Sequence, residues 1–478
     1  MKAFPYQVEA VNAIKNLPYA AVFHEQGLGK TKIAIDLLLY WVEQKLVDTV
    51  LIVTKKILIN NWLEELHSHT FIKPLILTND KLSNFYIFNS PSRVIITNFE
   101  VISTEKERFK LFLKTRNTAI IIDESAKLKN PNSNLTKIFF DLSPLFIKKV
   151  IMTGTPIANR PYDIWSQIYF LDHGESLGKD YNKFRDTTNL SNELFENTEL
   201  QEKFETEIES IFGKIKSFSV RETKSSNIIS LPRKCYFRVY SNWDNEQKQL
   251  YMRIKTQENA FIIKNDEALI DESKDILKRL LRLIQVASNP RLVDESFIGI
   301  PGKVITLREL LTDIKSRNEK CIIWTNFIEN VEYLSREFNE YHPVKVHGKM
   351  NIQSRNKSIY KFKNDPETLL LFATPSSAKE GLTLTVANNV IFYDRSFSLD
   401  DYLQAQDRIH RISQQKDCNI YNIIMKESID EWIDVLLSSK ELAAKLSQGD
   451  ISLDDYQEQA DYSFGEIVKR ILDNTNGV

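Results

Sequence analysis

Tyr19-Ala20-Ala21-Val22-Phe23, followed by His24-Glu25-Gln26-Gly27-Leu28-Gly29-Lys30-Thr31, is the stretch whose reading decides the fold. Its first five residues are apolar enough to predict a buried strand, and Lys32 to Leu39 reads as a helix packed on a sheet. Strand, glycine loop and helix in that order make the context of a phosphate-binding loop. Gly27 and Gly29 permit the tight turn that aims the backbone N–H groups of Gln26, Gly27, Leu28 and Gly29 at phosphate oxygens. The helix N-terminus adds a partial positive charge. Lys30 is expected to reach the β- and γ-phosphates of a nucleotide, and the Thr31 hydroxyl to ligate Mg2+. Upstream, Gln7 in Phe4-Pro5-Tyr6-Gln7 offers both a donor and an acceptor to an adenine edge.

Downstream, further strand patterns each end in polar residues. Thr49-Val50-Leu51-Ile52-Val53-Thr54 leads into Lys55-Lys56, and Arg93-Val94-Ile95-Ile96 ends in Thr97-Asn98. In open α/β sheets such strand tips are where ligands bind. Ala119-Ile120-Ile121-Ile122 ends in the carboxylate pair Asp123-Glu124. Asp123 at the tip can hold magnesium through water, and Glu124 can position the attacking water. Lys149-Val150-Ile151-Met152 ends in Thr153-Gly154-Thr155-Pro156, two hydroxyls around a glycine. From about residue 171 to 218 the strand pattern gives way to an acidic amphipathic helical insertion, with Phe195, Leu200, Phe204, Ile208 and Ile211 at helical spacing.

The chain of 478 residues is too long for one core, so two or three domains are expected. Its 42% hydrophobic and 27% charged content is that of a soluble globular protein. A net charge of −1 leaves no global field for nucleic acid, so any such site is a local basic groove. Cys235, Cys321 and Cys418 lie far apart, which points to a reducing compartment and to no zinc module. No apolar run approaches a membrane span, and the N-terminus lacks a signal-peptide pattern. A cytoplasmic location, in a bacterial or phage-infected cell, or a nuclear one is expected, and secretion is not.

Pro232 and the polar Ser225-Ser226-Asn227 mark a lobe boundary. After a charged helical stretch from about 244 to 300, a second α/β series begins. Its strands are Lys320-Cys321-Ile322-Ile323-Trp324, Val344-Lys345-Val346, Leu369-Leu370-Leu371-Phe372-Ala373 and Val390-Ile391-Phe392-Tyr393. It has no phosphate loop. It carries Gln404-Ala405-Gln406-Asp407-Arg408-Ile409-His410-Arg411 instead, where Arg408 and Arg411, three apart, are expected on one helix face. An arginine pair of this kind can stabilise charge on a transferred phosphoryl group.

This order of motifs resembles the Swi/Snf-type branch of superfamily 2 helicases and translocases. The pieces EQGLGKT, MTGTP, EGLTLT and QAQDRIHRISQ look most like compact enzymes that remodel DNA forks and junctions, and like phage-encoded relatives. The resemblance implies two RecA-like domains in tandem, parallel sheets flanked by helices. The expected domains are an ATP-binding lobe over residues 1–232, a second lobe over 233–430 and, from its helical and charged composition, a brace over 431–478. The resemblance implies ATP and Mg2+ as cofactors, with Gln7 reading adenine, Lys30 and Thr31 on phosphate and metal, Asp123 and Glu124 as hydrolytic carboxylates, and Arg408 and Arg411 as arginine fingers. Gly381 joins the nucleotide-binding set. Lys55, Asn98, Lys129, Asn326, His347, Lys349 and Ser376 fall where the family touches DNA backbone.

The family's carboxylate box ends in a small residue then His, whereas here Ser125-Ala126 follow Glu124. Phe4 stands where Arg is usual before the opening proline, and Lys379-Glu380 where a glycine pair is usual before Gly381. The expected activity is that of an ATP-dependent translocase on duplex DNA that drives branch migration, fork regression or strand annealing, acting as a monomer. A strand-separating DNA or RNA helicase, and a nucleotide-gated clamp with little turnover, are the alternatives.

Overall fold

The computed structural model describes residues 3–157, 159–190, 197–224, 231–263, 272–378, 383–411 and 413–460. The chain forms two compact units. One comprises Met1–Ser191, Asn197–Ile229 and Leu442–Gln459; the other is built mainly on Ser230–Glu441.

The first unit holds a seven-stranded sheet: β1 (Tyr19–Val22), β2 (Thr49–Thr54), β3 (Leu75–Ile76), β4 (Val94–Asn98), β5 (Thr118–Asp123), β6 (Lys148–Met152) and β7 (Ser219–Val220). The strand order is β3-β4-β2-β5-β6-β1-β7, and all pairs run parallel. Successive side chains on a strand point to opposite faces, and both faces here are covered. Leu51, Val53, Ile95, Ile120, Ile122 and Ile151 enter one apolar cluster. Val50, Ile52, Val94, Ile96, Ile121 and Val150 enter the other. The helix Lys30–Glu43 packs Ile33, Ala34, Leu37, Leu38 and Trp41 into the second of these. That double burial is why the strands read as unbroken apolar runs.

The acidic helical insertion contributes helices Tyr181–Thr188 and Thr198–Ile215 to this unit. Near its end the chain returns to this unit. Arg221 forms a two-pronged ion pair with Asp450, Nε donating to Oδ1 at 2.6 Å. Gln457 Nε2 donates to Glu205 Oε2 at 2.7 Å. The stretch expected to act as a brace from 431 onward is therefore divided, with Leu442–Gln459 grouped with the first unit; residues 461–478 lie outside the described residues.

The second unit holds a six-stranded, all-parallel sheet: β8 (Lys234–Ser241), β9 (Cys321–Trp324), β10 (Val344–Val346), β11 (Leu370–Ala373), β12 (Asn389–Phe392) and β13 (Cys418–Met425). Its order is β10-β11-β9-β12-β13-β8. Here too the strand residues divide between two clusters, Ile322, Trp324, Leu371, Val390 and Ile420 on one face and Ile323, Leu370, Phe372, Ile391 and Ile423 on the other.

Two buried carboxylates tie this sheet to its helices. Asp394, just past β12, accepts from Ser288 Oγ (2.7 Å), Thr325 Oγ (2.5 Å), and both the backbone N (2.7 Å) and side-chain Nδ2 (2.9 Å) of Asn326. Lys303 and Asp430 form an ion pair at 2.6 Å with side chains 0% and 4% exposed. Lys303 Nζ also donates to the Tyr393 carbonyl (2.9 Å), and Asp430 accepts from the Met425 backbone (2.9 Å). Breaking a buried pair from one side leaves the other charge uncompensated in a medium that solvates it poorly. Lys303→Ala is expected to lower unfolding stability by about 3–5 kcal/mol, read as a shifted urea midpoint of the transition that reports the second unit.

Candidate active site

Strands β5, β6 and β1 are neighbours, so the loops at their C-terminal ends meet in one place. The β1 loop carries Gly27 at φ 92° and Gly29 at φ 72°, left-handed conformations that a side chain would strain. A Cβ on Gly29 would also lie 2.2 Å from Gln7 Nε2. Gln7 is buried against this loop: its Nε2 donates to the Leu28 carbonyl at 3.3 Å, and the Tyr6 hydroxyl donates to the same carbonyl at 3.1 Å. The Gln7 Oε1 accepts from the Phe4 backbone N at 3.0 Å. Tyr6 is thus a loop-supporting residue beyond those expected from the sequence; its only signal was an aromatic ring beside a singled-out glutamine.

Lys30 opens the helix that follows Gly29, with Thr31 in its first turn. Its Nζ donates to the carbonyls of His24 (2.9 Å) and Glu25 (3.2 Å), so the loop curls around the ammonium. On the β6 side, Gly154 comes so close that a Cβ there would lie 3.0 Å from the Gln26 backbone N and 3.2 Å from Lys30 Nζ. Thr153 Oγ accepts from the Thr155 backbone N at 3.1 Å, which shapes the turn.

Asp123 ends β5. Its Oδ2 accepts from Trp62 Nε1 (2.8 Å) and Thr54 Oγ (3.1 Å), and its Oδ1 from the Glu124 backbone N (3.0 Å). Burial pushes its carboxyl above the usual range and the Glu124 carboxylate adds to the push; the bonds from Trp62 and Thr54 and the Lys30 charge oppose it. Glu124 sits at φ 57°, uncommon for a residue with a side chain, and pairs with Lys55 Nζ at 3.4 Å. Ser125 Oγ donates to Gln167 Oε1 at 2.8 Å. Trp62, Thr54 and Gln167 come from separate elements, and no local spacing announced them.

The residues fit a nucleotide with its magnesium ion. A side chain at Gly29 would run into Gln7 and one at Gly154 into Gln26 and Lys30, and Thr31 with Asp123 supplies the hard oxygen donors that Mg2+ prefers.

In the second unit the structure corrects one expectation. The helix Leu399–Gln406 stops before Arg408, so Arg408 and Arg411 share no helix face. They lie on a turn that Gln414 holds in place by donating to the carbonyls of Ala387 (2.8 Å) and Ile409 (3.1 Å). Arg408 is buried. Arg411 donates to Thr383 Oγ at 2.7 Å and to the Asp407 carbonyl at 3.1 Å, and burial draws its guanidinium below its ordinary value. Gly381 lies outside the described residues.

Several of the residues expected on DNA have clear partners within their own unit. Asn98 caps the helix Phe99–Thr104 by accepting from Val101 N at 3.0 Å. Asn326 is held by Asp394. His347 is buried with Nε2 3.0 Å from Glu332 Oε1. Lys129 lies 3.7 Å from Asp163. Ser376 Oγ donates to Thr374 Oγ at 3.4 Å, and Lys349 pairs with Glu329 at 3.4 Å while 70% exposed.

A SNF2-related domain model matches residues 12–292, and a helicase conserved C-terminal domain model matches residues 302–413. The chain belongs to the SNF2-related family, a Swi/Snf-type branch of superfamily 2. Among individual proteins it is similar to the ISWI chromatin-remodeling complex ATPase ISW1 of Saccharomyces cerevisiae, 26% identical over 90% of this chain and 39% of that one. It is also similar to the putative ATP-dependent helicase/translocase YwqA of Bacillus subtilis, 28% identical over 91% of this chain and 48% of that one. Among solved structures it is similar to the Sulfolobus solfataricus SWI2/SNF2 ATPase core in complex with dsDNA, with 23% identity, TM-score 0.42, and 96% and 97% of the two chains covered. The chain spans 39% to 53% of the length of the curated relatives it matches.

His24 begins the same loop, right after Phe23. It is 2% exposed, and burial, aided by the Lys30 charge, pulls its imidazole down to about 4. Between that value and the unfolded value of about 6.5 the unfolded chain binds the extra proton, so stability falls as pH drops through this window. His24→Asn is expected to flatten that fall by about 2–3 kcal/mol, measured by urea unfolding at pH 7 and pH 4.5 without nucleotide.

Proposed function

We propose that this chain is a nucleic-acid-dependent ATPase that moves along duplex DNA and remodels branched DNA by branch migration, fork regression or strand annealing. The observation that carries the ATPase reading is the meeting of three loops in the first unit: Lys30 cradled by the glycine loop, Gly154 pressed against it, and the desolvated Asp123 beside Glu124. Family membership supports the motor reading.

In this reading the loop's backbone N–H groups and Lys30 bind the phosphates and hold them in line. Thr31 and Asp123 would hold Mg2+, which when bound supplies positive charge to the phosphate oxygens. Gln7, already turned onto the loop, reads the adenine edge. Glu124 orients a water for attack on the terminal phosphorus and accepts its proton at a carboxylate oxygen. Trp62 and Thr54 fix the Asp123 carboxylate, so that it has no freedom to turn away. Arg408 and Arg411 are assigned the stabilisation of developing phosphoryl charge by their sequence motif. Lys55, Asn98, Lys129, Asn326, His347, Lys349 and Ser376 are assigned to DNA backbone, which predicts binding that weakens steeply with salt.

The test is phosphate release measured with single strands, linear duplex, forks, four-way junctions and RNA. Greatest stimulation by branched DNA is expected; stimulation by RNA alone would overturn the choice of track. Glu124→Gln is expected to keep duplex binding and lose about 10²–10⁴-fold in turnover, the usual worth of a positioned acid–base group. Arg411→Ala is expected to keep ATP binding, followed by fluorescent-nucleotide titration, and to lose about 10³-fold or more in turnover.

A further inference from the structure

We infer that Gln167 is a positioning residue that locks the carboxylate loop to the Thr153–Pro156 turn; this rests on the ATPase reading above. Gln167 lies on the helix Trp165–Asp172 and is fully buried, 0% exposed. Its Oε1 accepts from Ser125 Oγ at 2.8 Å. Its Nε2 donates to the Pro156 carbonyl at 2.7 Å and to the Asp163 carbonyl at 3.1 Å. Both amide hydrogens and the amide oxygen are therefore engaged, and the amide has one orientation that satisfies all of its partners.

The two ends of this bridge are the two sides of the site. Ser125 directly follows Glu124, the residue held at φ 57°, and is itself fully buried. Pro156 is two residues past Gly154, which presses on Gln26 and Lys30. Asp163, on the same side of the bridge, accepts at Oδ2 from the backbone N of Asn159 (2.9 Å) and Arg160 (3.2 Å), so the chain beyond Pro156 is anchored as well.

A left-handed conformation at a non-glycine residue persists only where its surroundings hold it. Between Glu124 and Lys127 the sole polar side chain is that of Ser125, since Ala126 offers a methyl group. The Glu124 backbone is held within its own loop, its N–H on Asp123 Oδ1 and its carbonyl on Lys127 N, and Ser125 is the side chain that ties this loop to Gln167. A shift of the Thr153–Pro156 turn relative to the glycine loop would pull the Gln167 amide with it, because a buried donor or acceptor left without its partner is costly. The set of the turn is passed on in this way to the carboxylate that orients water.

The experiment is steady-state ATP turnover of the full chain, with linear duplex present, for Ser125→Ala, Gln167→Leu and the double variant. Folding is checked by circular dichroism and thermal melting. Each single change is expected to lower kcat about tenfold or more, as small misplacements at a reacting centre do. KM for ATP should stay within about twofold. The double variant should be no slower than the slower single variant, because both remove one path. A purely structural role would lower the melting temperature and leave kcat unchanged at temperatures where the protein is folded. Folded single variants within about twofold of wild-type kcat, or losses that multiply in the double variant, overturn the inference. If Gln167→Leu does not fold, Ser125→Ala decides by the same kcat criterion. A wild-type chain with no turnover overturns the underlying reading and this inference with it. Normal wild-type turnover with unaffected variants overturns this inference alone.

Discussion

Parallel pairing is the constraint from which the rest of the molecule follows. When every strand of a sheet runs the same way, every C-terminal tip lies along one edge, and all the loops that leave those tips are neighbours in space. In the first unit the order β5-β6-β1 brings together three stretches that are remote along the chain: the glycine loop, the Asp123-Glu124 pair and the Thr153–Pro156 turn. None of these could act alone. The fold's contribution to chemistry is to hold them at one edge without any of them having to be near another along the chain.

Polar groups inside the two units are held by specific partners rather than by dilution in water. Asp123 is fixed by an indole and a hydroxyl, Asp394 by Ser288, Thr325 and Asn326, and Asp430 by Lys303 and a backbone N–H. A buried carboxylate with its lone pairs engaged cannot rotate, and each such group joins elements distant in sequence. At Asp123 the bonds from Trp62 and Thr54 and the Lys30 charge oppose the push of burial and of Glu124, and the carboxyl stays raised. At Lys303 and Asp430 the charges cancel each other, and the pair serves the packing of the second unit.

The two units solve the same packing problem with different means at their edges. Both bury two-faced strands between helices. The glycine loop and the carboxylate pair belong to the first. In the second, the corresponding loops carry amides, hydroxyls and arginines, with Asp394 binding the turn after β9 and Gln414 shaping the turn that bears Arg408 and Arg411. A residue such as Asn326 can therefore be both a candidate contact and a structural tie, and its side-chain amide is already directed by Asp394.

Strands β1, β2, β4, β5, β6, β9, β10, β11 and β12, the glycine loop and the carboxylate pair were legible in the amino-acid sequence. Burial on both faces writes an unbroken apolar run, and left-handed turns write glycine. Strands β3 and β7 span two residues each and leave no period to detect. Strand β8 exposes Tyr236, Phe237 and Tyr240, and β13 is interrupted by Asn419 and Asn422, so neither shows the run. The spacing of Arg408 and Arg411 suggested a helix, but the helix ends at Gln406, and the turn that follows is tied by Gln414 to the Ala387 and Ile409 carbonyls. Trp62 on Asp123 and Gln167 between Ser125 and Pro156 were equally out of reach, because hydrogen bonds between remote elements leave no periodic trace in sequence. Local chemistry and the alternation of apolar residues determined which loops exist; which side chains hold them in place was decided only when the sheet brought them together.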